Sequence, residues 1–197
     1  MGPTKEGLDL KKRFLRKLIA IFELNLKDER VTIPLMKTIE MLLASDYLSE
    51  GDLIGELNVI HSTTVQECQK SKNIVKLMTS AGIFAGLLVQ LDPEILQKAV
   101  RSLLFLLYHS FPKVRKLTAE KLYTALLTME DYSLVVPGGE EHYDSAIEML
   151  SETNWDGQML KDLNPGKERM YSFFGMVPAK TVAAVATKSD DVEMIKT

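Results

Sequence analysis

The stretch "HSFPKVRKLTAEKLYTALL", residues 109–127, contains the pattern that decides the fold. Pro112 stands where a helix can begin, because the first turn does not need the N–H that proline lacks. Small and apolar residues then share one stripe: Val114, Leu117, Thr118, Leu122, Ala125 and Leu126. Charged residues form the other stripe: Lys113, Arg115, Lys116, Glu120 and Lys121. This spacing predicts an amphipathic helix with one buried face.

The rest of the chain shows the same periodicity, and no run shows sustained strand alternation. Helices are predicted at about 9–24, 32–44, 53–78, 83–90, 94–108, 111–129, 140–151 and 167–174. In the first of them, a set of apolar residues recurs at helical spacing among basic ones and is expected to be the buried stripe: Leu10, Phe14, Leu18, Ile21 and Phe22.

Several residues predict where these helices begin and end. Thr32 is the expected N-cap of the second helix, with Pro34 in its first turn, and Asp92 caps the helix that follows it. The segment 61–64 is expected to divide 53–78 into two helices, because hydroxyl and β-branched residues suit a cap. Gly82 is expected to open a short helix, and "VVPGGE" to end the helix of the opening stretch. The spacing of Gly82 and Gly86 also favours close packing of helices.

Helix pairs such as 9–24 with 32–44 and 94–108 with 111–129 indicate stacked repeats. The Pro-Val-Arg pattern of the opening stretch resembles the second helix of a HEAT repeat. We therefore predict an all-α fold, a short HEAT/armadillo-like α-solenoid of stacked helix pairs, with a plain helical bundle as the alternative. Residues 1–7 are expected to be a flexible N-terminal segment, 8–177 the helical domain, and 178–197 a disordered tail.

Composition narrows the functional classes. The chain has 197 residues with 24 basic and 27 acidic side chains, a net charge of −3, which argues against a nucleic-acid binder. Cys68 is the only cysteine, so a reducing compartment is expected. The N-terminus lacks a signal-peptide core, and Arg101 interrupts the longest apolar run, so no transmembrane segment is predicted.

Catalytic and metal sites are not predicted. His61, His109 and His142 are far apart in sequence, without the close pair typical of a zinc site. Neither a phosphate-binding glycine loop nor a nucleophile elbow is present. A dyad of Cys68 with a histidine is left open, although a cysteine without an activating neighbour is usually inert. We expect no cofactor, no metal and no enzymatic activity.

Two basic clusters are the candidate partner-binding residues. Lys113, Arg115 and Lys116 form one; the alternative is that Arg115 bonds a neighbouring repeat and the lysines are simply solvated. The other lies in the first helix and includes Lys12, Arg13 and Arg16, which suit an acidic partner, an anionic membrane surface or an ordinary solvated face. Trp155, in a predicted loop, either anchors that loop or takes part in binding.

Three segments together resemble a known family: "RVTIPLMKTIEMLL" (30–43), "FPKVRKLTAEKLYTALLT" (111–128) and "LSETNWD" (150–156). Their order and spacing are similar to those in the C-terminal region of the tubulin-folding cofactor D family, over about residues 10–176. Members of that family carry many HEAT-like repeats ahead of this region. The resemblance therefore implies that the chain is a C-terminal piece of a longer solenoid.

The resemblance also implies a function. Members bind β-tubulin, assemble or disassemble the αβ-tubulin heterodimer with cofactors E and C, engage an Arf-like small GTPase and stimulate GTP hydrolysis by tubulin. The implied location is the cytoplasm, at microtubules or the centrosome. The alternatives are a generic α-solenoid adaptor for another partner and a helical enzyme that uses Cys68 or a histidine.

Overall fold

The computed structural model describes residues 5–48, 53–90 and 92–178, without the side chains of residues 5, 6 and 46. This part of the chain is helical and contains no strand. Its helices are α1 Lys5–Leu24, α2 Glu29–Ala44, α3 Ile54–Cys68, α4 Ile74–Leu87, α5 Pro93–Leu107, α6 Pro112–Thr128, α7 Gly139–Glu152 and α8 Leu160–Phe173, with 3-10 turns at Asp46–Leu48 and Tyr132–Leu134. α1 begins within the segment 1–7 predicted to be flexible. The tail predicted at 178–197 lies outside the described residues except for Pro178.

The helices stack as pairs in two rows. α1, α3 and α5 pack side by side in one row, while α2, α4 and α6 pack in the other. Within each pair the two helices also contact each other, and α7 and α8 extend the stack beyond α6. The predicted all-α stack of helix pairs is therefore confirmed, and its centre is the α4–α5–α6 region.

The two clearest helix starts in the sequence are confirmed. Asp92 caps α5 by accepting a hydrogen bond from the backbone N–H of Ile95 at 3.0 Å, with Pro93 as the first helical residue. Pro112 is likewise the first residue of α6. In both helices the proline fills a position that makes no intrahelical N–H bond, so it adds rigidity without removing a bond.

The predicted start of α2 is wrong, and 53–78 divides into two helices at a later place than predicted. Asp28, four residues earlier than Thr32, caps α2 and accepts from the N–H of Arg30 at 3.1 Å. The segment 61–64 lies inside α3, because these residues face neighbouring helices rather than a turn. The chain instead turns between α3 and α4, where Lys70 has a φ of 60° and Asn73 caps α4.

Three further boundaries differ from prediction. α4 continues through Gly82 to Leu87, because the glycines there allow close approach to α2: a Cβ at Gly86 would lie 2.7 Å from Leu43 Cβ. α6 ends at Thr128, within one residue of the predicted 129, so "VVPGGE" does not end it, and Gly139 and Glu140 of that segment are the first residues of α7. α8 begins seven residues earlier than predicted and keeps Pro165 within it.

The predicted burial of the second half of α5 is largely confirmed. Leu103, Leu104, Leu106 and Leu107 are all buried between neighbouring helices, whereas Phe105 is 69% exposed. Phe105 lines an apolar groove between α3 and α5. Within the described residues, no helix is both long and apolar enough to cross a membrane.

Candidate protein interface

Helix α1 has two apolar stripes, and only one of them is buried. The buried stripe packs into the core through Leu15, Ile19 and Phe22. The prediction that Leu10, Phe14 and Ile21 belong to the buried stripe is wrong, because all three face solvent. With Leu24, these exposed residues define the α1 outer stripe: Leu10 61%, Phe14 39%, Ile21 45% and Leu24 84% exposed.

The α1 outer stripe is continuous along the helix. At 100° per residue, its four members and Lys17 fall within about 80° of one another, since their spacing alternates four and three residues. Such spacing is typical of a helix that lays one face against a partner. Tyr47 extends the apolar surface at one edge, with its ring edge-on to Phe14 at a centroid distance of 6.4 Å. Single exposed apolar residues are ordinary, but an aligned row of them is a candidate docking surface.

The charge of α1 is opposite to that of the whole chain. The helix contains six basic and three acidic residues, while the net charge of the chain is −3. Lys17 lies within the α1 outer stripe, and Arg13 flanks it while pairing with Asp9 at 3.3 Å. A partner that docks here therefore meets an apolar row in a positive field, which favours an acidic partner.

The other two predicted basic residues of α1 are turned away from this row. Arg16 Nε donates to the Glu56 carboxylate of α3 at 2.9 Å, so it links the first two helix pairs. Lys12 is half-buried on the core side of the helix. Of the predicted cluster, Arg13 is therefore the residue best placed beside the α1 outer stripe.

The second predicted basic cluster, on α6, is not a surface strip. Arg115 is only 1% exposed, so it lies inside the protein. Lys116 is exposed, but its ammonium donates to the Asp156 carboxylate at 3.0 Å, and this hydrogen bond raises the pKa of Lys116 and lowers that of Asp156. Lys113 is exposed and makes no hydrogen bond or ion pair with the described part of the chain. The structure therefore separates the three residues rather than grouping them.

Arg115 instead ties α6 to the loop between α7 and α8. Its Nε donates to the carbonyl of Trp155 at 2.8 Å and its Nη2 to that of Gln158 at 2.7 Å. The Trp155 ring is buried, its Nε1–H donates to the carbonyl of Leu150 at 2.9 Å, and it stacks edge-on against Tyr108. Arg115 therefore bonds a neighbouring repeat, and Trp155 anchors its loop, as the structural alternatives for these two residues predicted.

A buried ionic group joins the first two helix pairs, and the sequence reading missed it. Glu67 is fully buried and accepts hydrogen bonds from Lys76 Nζ, from Thr32 Oγ1 at 3.0 Å and from the backbone N–H of Lys27 at 2.7 Å. Burial alone would lower the pKa of Lys76, but its hydrogen bonds to Glu67 and Glu29 outweigh that effect and raise it. The group therefore fixes the α1–α2 turn against α3 and α4. The sequence signal for this group was Lys76, a lysine within the apolar start of a helix, "NIVKLM".

In the described part of the chain, no histidine is hydrogen-bonded to Cys68 or to another histidine. His61 donates from Nε2 to the carbonyl of Lys98 at 3.2 Å, His109 accepts at Nδ1 from the N–H of Phe111 at 3.2 Å, and His142 lies on α7. Cys68 Sγ contacts Ser80 Oγ, and burial raises the pKa of its thiol, which disfavours the nucleophilic thiolate. Among the residues that the structure describes, no group of three potential ligands could hold a metal ion.

Residues 3–76 match the family model described as "Tubulin folding cofactor D C terminal". The matched residues include all of α1, α2 and α3, and thus the α1 outer stripe, the buried ionic group and the segment 30–43. The quoted segments 111–128 and 150–156 lie beyond the match. No solved structure matches the chain.

Proposed function

We propose that the chain is a non-enzymatic segment of a tubulin-folding chaperone, because residues 3–76 match the family model of the C-terminal region of tubulin folding cofactor D. In this proposal its α1 outer stripe binds β-tubulin. The observation that carries the proposal is the coincidence of the two features: the exposed apolar row with its positive field lies in the part of the chain that matches the family.

The physical properties of the surface support this choice of partner. Exposed apolar residues at alternating four- and three-residue spacing provide area that becomes buried on docking, which supplies affinity. The basic residues of α1 attract an acidic protein surface and speed association with it. A row of four side chains provides only part of a standard interface, so the isolated chain binds weakly and needs contacts from elsewhere to bind tightly.

The wider role in this proposal follows that of the family. The chain acts with cofactors E and C to assemble or disassemble the αβ-tubulin heterodimer, engages an Arf-like small GTPase, and helps to stimulate GTP hydrolysis by tubulin. The nucleotide chemistry belongs to tubulin and the GTPase, and the stack of helices contributes a semi-rigid surface. The proposed location is the cytoplasm, at microtubules or the centrosome.

The experiment that tests this role measures binding of the chain to each partner at low and moderate salt. The partners are β-tubulin folding intermediates, the tubulin heterodimer, cofactors E and C, the GTPase and an unrelated protein of similar negative charge. We expect weak binding to β-tubulin that decreases with salt, and no heterodimer assembly by the chain alone. Equal binding to the unrelated acidic protein would contradict the proposal and favour a generic adaptor.

A further inference from the structure

An apolar groove with a volume of about 830 Å³ opens between α3 and α5. In the middle of these helices the groove is closed, because His61 Nε2 lies 2.9 Å from Ser102 Oγ. Toward the carboxyl ends of both helices it is lined by Val65 of α3 and Phe105 of α5, both exposed, and by the buried Phe84 of α4. Binding pockets typically have volumes of about 300–1,000 Å³, so the groove is large enough to take several apolar side chains of a partner.

The charge of the groove is positive. Lys70 and Arg101 line it, and no carboxylate is among the described lining residues. His109 also lines the groove, but burial lowers its pKa, so it is neutral at pH 7.

Both cations of the groove are without a counter-charge. Neither Lys70 nor Arg101 forms a side-chain hydrogen bond or an ion pair with the described part of the chain. Every other arginine among the described residues has a hydrogen bond, an ion pair or a cation–π contact: Arg13, Arg16, Arg30, Arg115 and Arg169. An occupant with acidic side chains would therefore match the charge of this apolar surface.

The backbone around the groove favours a helical occupant. The walls of the groove are helices, and the described residues contain no strand edge to which an extended segment could add. A helix makes its own backbone hydrogen bonds, so it can lie on an apolar surface without leaving polar groups unpaired. The lining residues span 62–69 at α3 and 101–109 at α5. At 1.5 Å per residue these walls are about 10–12 Å long, which matches about two turns of a helix.

The described helices of a second copy do not provide such an occupant. The exposed apolar residues of α1 lie in a basic helix, so two positive surfaces would meet. α7 is rich in acidic residues and has no lysine or arginine, but none of its large apolar residues is exposed. α3 has exposed apolar residues, but its carboxylates, Glu56 and Glu67, are buried. An occupant that is both apolar and acidic must therefore come from a different protein.

We propose that this groove is a docking site for an amphipathic helix of another protein, with large apolar side chains on one face and acidic residues beside them. The apolar side chains pack against Val65 and Phe105, and the carboxylates pair with Lys70 and Arg101. Docking then covers the exposed phenylalanine and gives both cations a counter-charge. The groove is separate from the α1 outer stripe, so this proposal and the proposed tubulin role fail independently.

The test uses a displayed library of helical peptides of about 14 residues, roughly four turns, in which the apolar and charged positions vary. The library is selected on the full chain that carries Ile21→Asp with Leu24→Asp, so that peptides which prefer the α1 outer stripe are not recovered. We expect the enriched peptides to have large apolar residues at i, i+3 or i+4, and i+7, flanked by aspartate and glutamate. Enrichment of basic peptides, or no enrichment over an unrelated protein, would overturn the proposal.

A substitution in the groove then locates the binding site of the enriched peptides. Phe105→Asp should weaken their binding at least about tenfold, because it removes the aromatic anchor. The matched control is Leu127→Asp on α6, an apolar residue that is also exposed and lies outside the groove, and it should leave the affinity unchanged. Circular dichroism should show the wild-type helix content for both variants, because both side chains are exposed. Equal affinities of the wild type and the Phe105→Asp variant would overturn the proposal.

A charge reversal tests the acidic part of the proposal. Lys70→Glu with Arg101→Glu should reverse the preference, so that peptides with lysine in place of the acidic residues bind more tightly than the enriched ones. The control, Lys37→Glu with Lys113→Glu, makes the same change of charge at exposed residues outside the groove and should keep the preference for acidic peptides. An unchanged preference in the groove variant would contradict the pairing with Lys70 and Arg101.

Other occupants of the groove would give different results, and each of these would overturn the proposal. A small amphiphile is the occupant if laurate binds the chain, Phe105→Asp weakens that binding, and no peptide is enriched. A second copy is the occupant if the full chain self-associates and Phe105→Asp abolishes the association. Peptide binding that appears only in a chain ending at Pro178 would make the remaining residues of this chain the occupant.

Discussion

The Nε of Arg115 lies 2.8 Å from the carbonyl oxygen of Trp155, forty residues away in the sequence. The same guanidinium donates to the carbonyls of His109, Ser110 and Gln158. A fully buried charge is tolerated here because every donating nitrogen has a backbone acceptor. The contact joins α6 to the loop that follows α7, so it adds to the packing of α6 against α7 in holding the last helix pair onto the stack.

Replacement of Arg115 by Met should destabilise the protein by about 3 kcal/mol or more, because one buried and three partly buried carbonyls lose their donor. The matched control is Lys113→Met on the same helix. Lys113 is exposed, so its replacement should change stability by less than about 0.5 kcal/mol. Denaturation midpoints compare the two, and equal midpoints would contradict the structural role of Arg115.

Gly86→Ala should destabilise the α2–α4 contact. A Cβ there would lie 2.7 Å from Leu43 Cβ, so the helices must separate at a cost of about 1–3 kcal/mol. Gly55→Ala serves as the control, since a Cβ at Gly55 meets nothing within 4 Å and should stabilise α3 by up to about 1 kcal/mol. Thermal melting of both variants checks the prediction, which fails if the two shifts have the same sign.

His61 should make stability depend on pH. Burial, and secondarily the charge of Lys98, lowers the pKa of His61 below its ordinary value of 6.5, so the unfolded chain binds a proton more tightly than the folded one. The contribution of His61 is complete above pH 6.5 and is lost as pH falls below it, by up to about 1.4 kcal/mol per pH unit. His61→Gln should therefore flatten the stability profile between pH 6.5 and 5.

Burial also lowers the pKa of His109, which provides a comparison for this profile. His109→Gln should remove a separate part of the acid dependence, and the double variant should be flatter than either single one. Free energies of unfolding measured at half-unit pH intervals for the wild type and the three variants would show both effects. An unchanged slope in both single variants would contradict burial of the neutral rings.

Much of the fold could be predicted from local signals. Asp92, Pro93 and Pro112 mark helix starts whose chemistry is contained within one turn, and these predictions are confirmed. Thr32 was wrongly predicted to be an N-cap, because its hydroxyl donates a hydrogen bond to a distant residue, Glu67, at 3.0 Å. Gly82 misled the prediction because this glycine lies inside α4 against the Glu40 side chain of α2, rather than at a turn. Contacts between distant segments decide both cases, and periodicity does not contain that information.

The candidate interface could likewise be predicted only in part, because contacts between distant segments decide which side chains are exposed. The basic pattern of α6 was compatible with a surface strip and with a bond from Arg115 to a neighbouring repeat, and the hydrogen bonds to the loop around residue 156 show the second. On α1 the sequence contains two apolar stripes, one through Leu15 and Phe22 and one through Phe14 and Ile21. Both have helical spacing, so only the neighbours that cover the first one distinguish them.

The most direct measurement of the central claim is the affinity of β-tubulin for the chain with and without the α1 outer stripe. The test variant is Ile21→Asp with Leu24→Asp. The matched control is Val89→Asp with Leu127→Asp, two apolar residues of similar exposure elsewhere on the surface. Loss of two anchors of an interface, about 2 kcal/mol or more, corresponds to at least about a 30-fold weaker dissociation constant. We predict that weakening for the test variant and an unchanged affinity for the control, with the helix content of both equal to that of the wild type. Equal affinities for the test variant and the wild type would contradict the claim that this face of α1 binds β-tubulin.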